Sequence, residues 1–318
     1  MTWVAWRLQR TEMLIAGGIL VALTAILLPS GLEMAHAYSR DGLSSCLAHP
    51  TDACGQTVDA FVGRFHSTGS LVAWMTLLPG LIGVLLATPF LLDLENGTYR
   101  LAWTQSITRG RWIAGKLALA IGAAVVGALA LTVLMTWWRA PLVHIDGRID
   151  PSAFDSQGTV VFGYTLFALG LALAVGTVWR RAAPALIVAY GVYFASRLFV
   201  DTWLRQRFLT PLSATVSILR TTAPKILNNA WIITQWPSDR LGNHVLPPGP
   251  RTCPPPTLGG SKDAVRACLA EHGRGYMHTV FQPASRFWEL QGIETALFGG
   301  TALLLIAFAA WWAHQRTA

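Results

Sequence analysis

The sequence predicts an all-α polytopic membrane protein: six transmembrane helices, with an extracellular cap between the fifth and sixth. Three observations carry this. Of 318 residues, 53% are hydrophobic and only 13% charged, where a soluble domain carries roughly 25%, and the mean hydropathy is +0.45. Six apolar runs, residues 13–28, 71–92, 113–137, 160–179, 182–200 and 292–312, each approach the ~20 residues a helix needs to cross the hydrocarbon core. Trp137, Trp138, Trp179, Trp311 and Trp312 gather at the run ends, where indole rings favour the headgroup layer.

Basic residues set the orientation. With the N-terminus inside, Arg7, Arg10, Arg100, Arg109, Arg111, Lys116, Arg180, Arg181 and Arg316 fall on the cytoplasmic side. They outnumber Arg40, Arg64, Arg139 and Arg148 in the short outer loops, so both termini are expected in the cytoplasm. The net charge of +8 does not indicate nucleic acid, because the cations are spread over loops without forming a basic helix or stripe.

The first run resembles a secretory signal in part, with Arg7 and Arg10 before it and Ala35-His36-Ala37 beyond it. That triplet stands well past Leu28, with Pro29, Glu33 and Met34 between, so the run is expected to remain as a span. Residues 2–10 read either as a short interfacial helix, with Trp3, Trp6 and Arg10 at helical spacing, or as a plain flank. In the third run Ala118 with Gly122, and Ala123 with Gly127, predict a close helix contact. Pro79, with Gly80 and Gly83, predicts a kink or local unwinding in the second.

Residues 201–289 are too polar and proline-rich to span, which divides the chain into 1–200, the cap at 201–289, and a last span with its tail at 290–318. Residues 211–236, rich in Thr and Ile, are read as one or two helices against the outer leaflet or over the bundle. A short helix is expected between the proline runs and Gly273, capped by Ser261 with Asp263 in its first turn. Cys46, Cys54, Cys253 and Cys268 all fall outside, an even number that suggests disulfides. Local pairing, Cys46 with Cys54 and Cys253 with Cys268, is the simplest of three connectivities. No metal is expected, since no His or Cys cluster has zinc-ligand spacing.

Arg197 and Glu294 are the two ionisable residues placed clearly within spans. Both lie near the outer leaflet, so an intramembrane pair is expected, either clamping the fifth span to the sixth or lining a cavity. Charge otherwise concentrates in a polar interruption between the second and third runs, from Leu94 to Trp112 with Lys116 beyond. This segment is expected to lie at the membrane surface and touch something in the cytoplasm.

That interruption resembles the permease subunits of ABC-2 type transporters, in the wording of an actinobacterial branch. Glu95, Gly97-Thr98, a short helix, Ser106, Thr108-Arg109 and Gly115-Lys116 follow the family's order. The basic residue usually found before the acidic one is absent, with Asp93 and Leu94 standing there, and Ser106 replaces the usual turn proline. Residues 282–294, from Gln282 to Glu294, resemble a second signature of the same branch before the last span.

The resemblance implies a coupling helix at about residues 94–105 that docks on a separate cytoplasmic ATPase subunit, with Glu95, Gly97, Thr98, Arg100 and Arg109 as the coupling residues. It implies a second permease copy or a related permease as partner, a bacterial plasma-membrane location, and ATP and Mg bound by the partner ATPase. This chain is expected to need no cofactor and to have no catalytic residues, since no Gly-x-x-x-x-Gly-Lys-Ser/Thr loop is present. Absence of a Glu-Ala-Ala importer signature tilts the direction to export, with drugs, peptides or lipids as cargo by family analogy. Two other classes compete. An integral membrane enzyme acting on lipid-linked substrates could use His144, Asp146, Asp150 and Asp155, though these lack ligand spacing and read better as a solvated loop. A membrane anchor or sensor would need neither the polar interruption nor the cap.

Overall fold

The computed structural model describes residues 2–48, 52–99, 108–217, 225–245, 262–271 and 275–316. Its helices are α1 (Thr2–Arg40), α2 (Leu43–Ala48), α3 (Asp52–Trp74), α4 (Leu78–Glu95), α5 (Arg109–Asp146), α6 (Pro151–Phe154), α7 (Val160–Trp179), α8 (Ala182–Phe199), α9 (Lys262–Glu271) and α10 (Phe287–Arg316). Strands β1 (Leu212–Ser217), β2 (Trp231–Ser238) and β3 (Tyr276–Gln282) stand between α8 and α10. Among the described residues six helices are long and apolar enough to cross a membrane, which makes the chain a polytopic membrane protein.

Helix lengths depart from the apolar runs because hydropathy marks only the part that needs lipid. The 39 residues of α1 extend about 58 Å at 1.5 Å per residue, nearly twice the ~30 Å hydrocarbon core. The Ala35-His36-Ala37 triplet lies within that continuous helix, and Met34 and Ala37 pack with Phe61, Phe65 and Trp138 in a small second core. The Trp138 indole donates to Ser30 Oγ at 3.0 Å, fastening α1 to α5. Cys46 and Cys54 form a disulfide joining α2 to α3. The kink expected at Pro79 is a break: α3 ends, a 3-10 turn covers Met75–Leu77, and α4 begins with its proline in the first turn, where no N–H is needed.

The central helix is α7, the most completely buried of the six spans. Glycines let its neighbours close in. A Cβ on Gly83 of α4 would lie 2.2 Å from the Thr165 carbonyl oxygen of α7, and one on Gly170 would lie 3.1 Å from the Ala302 carbonyl oxygen of α10. The order of these contacts shows α4, α7 and α10 running in the same direction. The close contacts expected in the third span are thinner: Ala118 and Gly122 are exposed, Ala123 is partly buried against the core, and Gly127 meets Ile82.

The fold is not all-α. Within residues 211–236, expected as helix, the described residues hold β1 and the start of β2, and β3 lies between these strands in an antiparallel sheet of order β1-β3-β2. Thr, Val, Ile and Trp crowd these strands, side chains that suit a pleated, half-buried surface. Gln282 donates to the Leu209 carbonyl at 2.8 Å and Arg286 to the Thr210 carbonyl at 2.7 Å, seating the sheet on the start of α10. The short helix expected near Cys268 is α9, and Cys268 is disulfide-bonded. Cys253, Ser261 and Gly273 lie outside the described residues.

Candidate functional site

Two polar constellations stand at opposite ends of the bundle. The first is the root of the polar interruption. Glu95 is the last residue of α4, and its Oε2 accepts the Ala182 backbone N–H at 2.8 Å. This caps α8, whose own N-cap residue Arg181 supplies no side-chain bond. Asp93 Oδ2 lies 2.7 Å from the buried Lys116 Nζ of α5, and Asp93 Oδ1 accepts the Thr98 hydroxyl at 2.8 Å. Gly97 turns the chain with φ +68°, the left-handed conformation that favours glycine. Trp112 of α5 stacks on Phe90 of α4 and touches Tyr99, closing the apolar side of the turn.

Three spans, α4, α5 and α8, are thus joined at this root by two carboxylates and a ring stack. Arg109 stands exposed at the first position of α5. Arg100 and residues 101–107, which include half of the expected coupling helix, lie outside the described residues.

The second constellation is a buried charge cluster beneath the sheet. Arg197 Nη1 donates to Glu294 Oε1 at 3.1 Å, and Arg197 Nη2 stands 2.7 Å from Asp155 Oδ2. Arg205 reaches three carboxylates: Glu294 at 2.8 and 2.9 Å, Asp155 at 2.5 Å and Asp201 at 2.5 Å. The Tyr164 hydroxyl of α7 donates to Glu294 at 2.5 Å, and the Arg197 guanidinium lies 3.6 Å above the Tyr164 ring. Glu294 has no solvent exposure.

Helix geometry explains how one segment supplies both arginines. Beyond Phe199, α8 continues as a π turn at Val200–Leu204 and a 3-10 turn at Arg205–Arg207. Residues four apart drift forward around an α-helix, and the wider π turn rewinds that drift. Arg197, Asp201 and Arg205 therefore remain on one face.

Asp155 corrects the reading of its loop as solvated. It arrives from the short α6 and is buried between the two arginines. Burial pushes its carboxyl upward, but Arg197 and Arg205 outweigh that and hold it below the ordinary carboxylate range. Of its loop neighbours, Asp150 caps α6 through the Ser152 N–H, and Asp146 is exposed. Gln291 closes the same corner, accepting the Val160 N–H at 2.9 Å and donating to the Phe154 and Gln157 carbonyls. Arg205, Asp201 and Tyr164 escaped the sequence reading, and Asp155 was read as solvated. The four-residue spacing of Arg197, Asp201 and Arg205 was the signal available for three of the cluster's residues.

A bundle of six long apolar helices among the described residues, with polar constellations at its two ends, defines a polytopic integral membrane protein. The chain matches the family described as ABC-2 membrane transporter related over residues 17–205, and it belongs to that family. No curated protein and no solved structure matches it. Family membership is in a transporter class, so the chain is not itself an enzyme.

Proposed function

We propose that this chain is the membrane-spanning permease subunit of an ATP-driven ABC exporter, paired with a separate cytoplasmic ATPase and with a second permease. The observation that carries the reading is the root of the polar interruption, where Asp93 and Glu95 tie the end of α4 to Lys116 of α5 and to the first turn of α8. A push delivered to residues 96–108 would reach three spans together, as a rigid-body displacement requires. The cationic flank with Arg100, Arg109 and Arg111 supports a cytoplasmic position for this end and an outer one for the sheet. Gly97 and Thr98 form the turn that presents the coupling helix to the ATPase, and the absence of a phosphate loop explains the need for that partner. The cluster around Arg197 and Glu294 acts as a clamp, since every carboxylate in it has an arginine partner. Amphipathic drugs, peptides or lipids are the cargo class that apolar spans suit.

Glu95 and Gly97 test the reading. In the complex with its ATPase, Glu95→Ala and Gly97→Trp leave the protein in the membrane and abolish the stimulation of ATP hydrolysis by cargo. Glu95→Gln keeps an oxygen for the Ala182 N–H and retains most of the stimulation. Full stimulation in Glu95→Ala and Gly97→Trp would overturn the coupling role of this root.

A further inference from the structure

The same segment that turns Arg197, Asp201 and Arg205 toward the cluster carries a second line of residues two positions on, and it faces away from the bundle. Phe199 and Trp203 are 54% and 49% exposed. Their rings stack with centroids 5.2 Å apart, and the Arg207 guanidinium lies 4.0 Å above the Trp203 ring. The π turn keeps this outer line in register as it does the inner one. From the bundle outward it runs phenyl, indole, guanidinium, matching the passage from acyl chain through headgroup layer to phosphate. The apolar helix that contains it ends at Arg207.

Arg207 differs from the inner arginines in having no carboxylate partner among the described residues; its Nη1 is committed to the Trp203 carbonyl. It lines an open cavity of about 380 Å³ with Gln206, Leu209, Thr210, Pro211 and Ile233, where the sheet meets the end of the span. An unpaired cation, a hydroxyl at Thr210 and an apolar wall from Leu209 and Ile233 suit a phosphodiester with the start of an acyl chain.

We propose that this cavity holds the headgroup of an anionic phospholipid, with Arg207 on the phosphate and Trp203 and Phe199 against the glycerol and upper acyl chain. The site depends on the chain's insertion in a membrane and not on the exporter reading, so its test needs no transport.

The test is native mass spectrometry of the detergent-purified full chain titrated with dioleoyl phosphatidylglycerol, with dioleoyl phosphatidylcholine and inorganic phosphate as separate arms. Arg207→Gln is expected to weaken phosphatidylglycerol binding by about tenfold, the scale of one charge-assisted contact. Arg148→Gln, an exposed arginine off the aromatic line, is expected to change it by less than about twofold on the same scale. Phosphatidylcholine binds more weakly, and millimolar phosphate does not displace the lipid. Circular dichroism and thermal unfolding confirm that Arg207→Gln is folded; should it misfold, Trp203→Leu serves in its place, with the same loss expected. Equal losses in Arg207→Gln and Arg148→Gln, unchanged binding in folded Arg207→Gln, or displacement by inorganic phosphate would each overturn the proposal.

Discussion

Arg205 and Glu294 form the joint on which the buried cluster turns, and a double-mutant cycle measures it. Glu294 is fully buried and accepts two bonds from Arg205, at 2.8 and 2.9 Å, besides one from Arg197 and one from Tyr164. Arg205→Met leaves that carboxylate short of a cation, and Glu294→Leu leaves two guanidinium groups facing Asp155 with only half-exposed Asp201 to help. Removing one partner of a buried pair costs about 3–5 kcal/mol, chiefly from the charge left uncompensated. Removing both leaves Arg197 with Asp155 at 2.7 Å, a balanced pair, so the double variant should lose at least about 2 kcal/mol less than the sum of the singles. Reversible chemical unfolding in mixed micelles supplies the four free energies. Losses that add to within about 0.5 kcal/mol would refute the argument. The geometry also predicts that the simple exchange Arg197→Glu with Glu294→Arg fails to rescue, because the new arginine would face Arg205.

Three further outcomes follow from particular contacts. Gly83→Ala places a methyl group against the Thr165 carbonyl and should cost about 1–3 kcal/mol, while Gly122→Ala, with open space around it, should be neutral or stabilising by up to about 1 kcal/mol; the same unfolding assay reads both, and equal effects would contradict the close approach of α4 to α7. Replacing Cys46 and Cys54 by serine opens a bridge of sequence separation 8 and should lower stability by about 2.5 kcal/mol through chain entropy, which unchanged unfolding would contradict. The Asp155 carboxyl, raised by burial but lowered further by its arginines, contributes stability that is fully present above its unfolded value of about 3.9 and lost as pH falls through its lower folded value; unfolding midpoints that already fall between pH 7 and 5 in wild type but not in Asp155→Asn would contradict this.

The spans were legible because apolar length is a strong one-dimensional signal, and the number of long apolar helices agrees with the number of runs. Their ends were not. The long α1 is held beyond its apolar run by packing, as at Met34 and Phe61, and the extension of α8 to Arg207 by the bonds of Arg205 to Glu294 and Asp155; neither leaves a mark in hydropathy. The strands were read as helix because short stretches such as Ile232-Ile233-Thr234 fit either period, and only the pairing of β2 with a strand some forty residues on decides between them. Nearness of Arg197 to Glu294 followed from their equal depth in two runs. Asp155 and Arg205 were missed because each was assigned to water by its place outside an apolar run, whereas a buried loop and a π turn bring them inward. At the other end, the acidic and glycine positions were legible, but the fastening of Glu95 to Ala182 depends on a helix start far along the chain.

Purification of the tagged protein from its native membrane in mild detergent bears directly on the proposed role as the membrane half of an ATP-driven pump. An ATPase chain with a phosphate loop is expected to co-purify in stoichiometric amount, the complex to hydrolyse ATP, and Gly97→Trp to break the link between hydrolysis and cargo. A folded, monodisperse protein that recovers no ATPase chain, and that leaves the hydrolysis of every ATPase encoded beside it unchanged, would rule out that role.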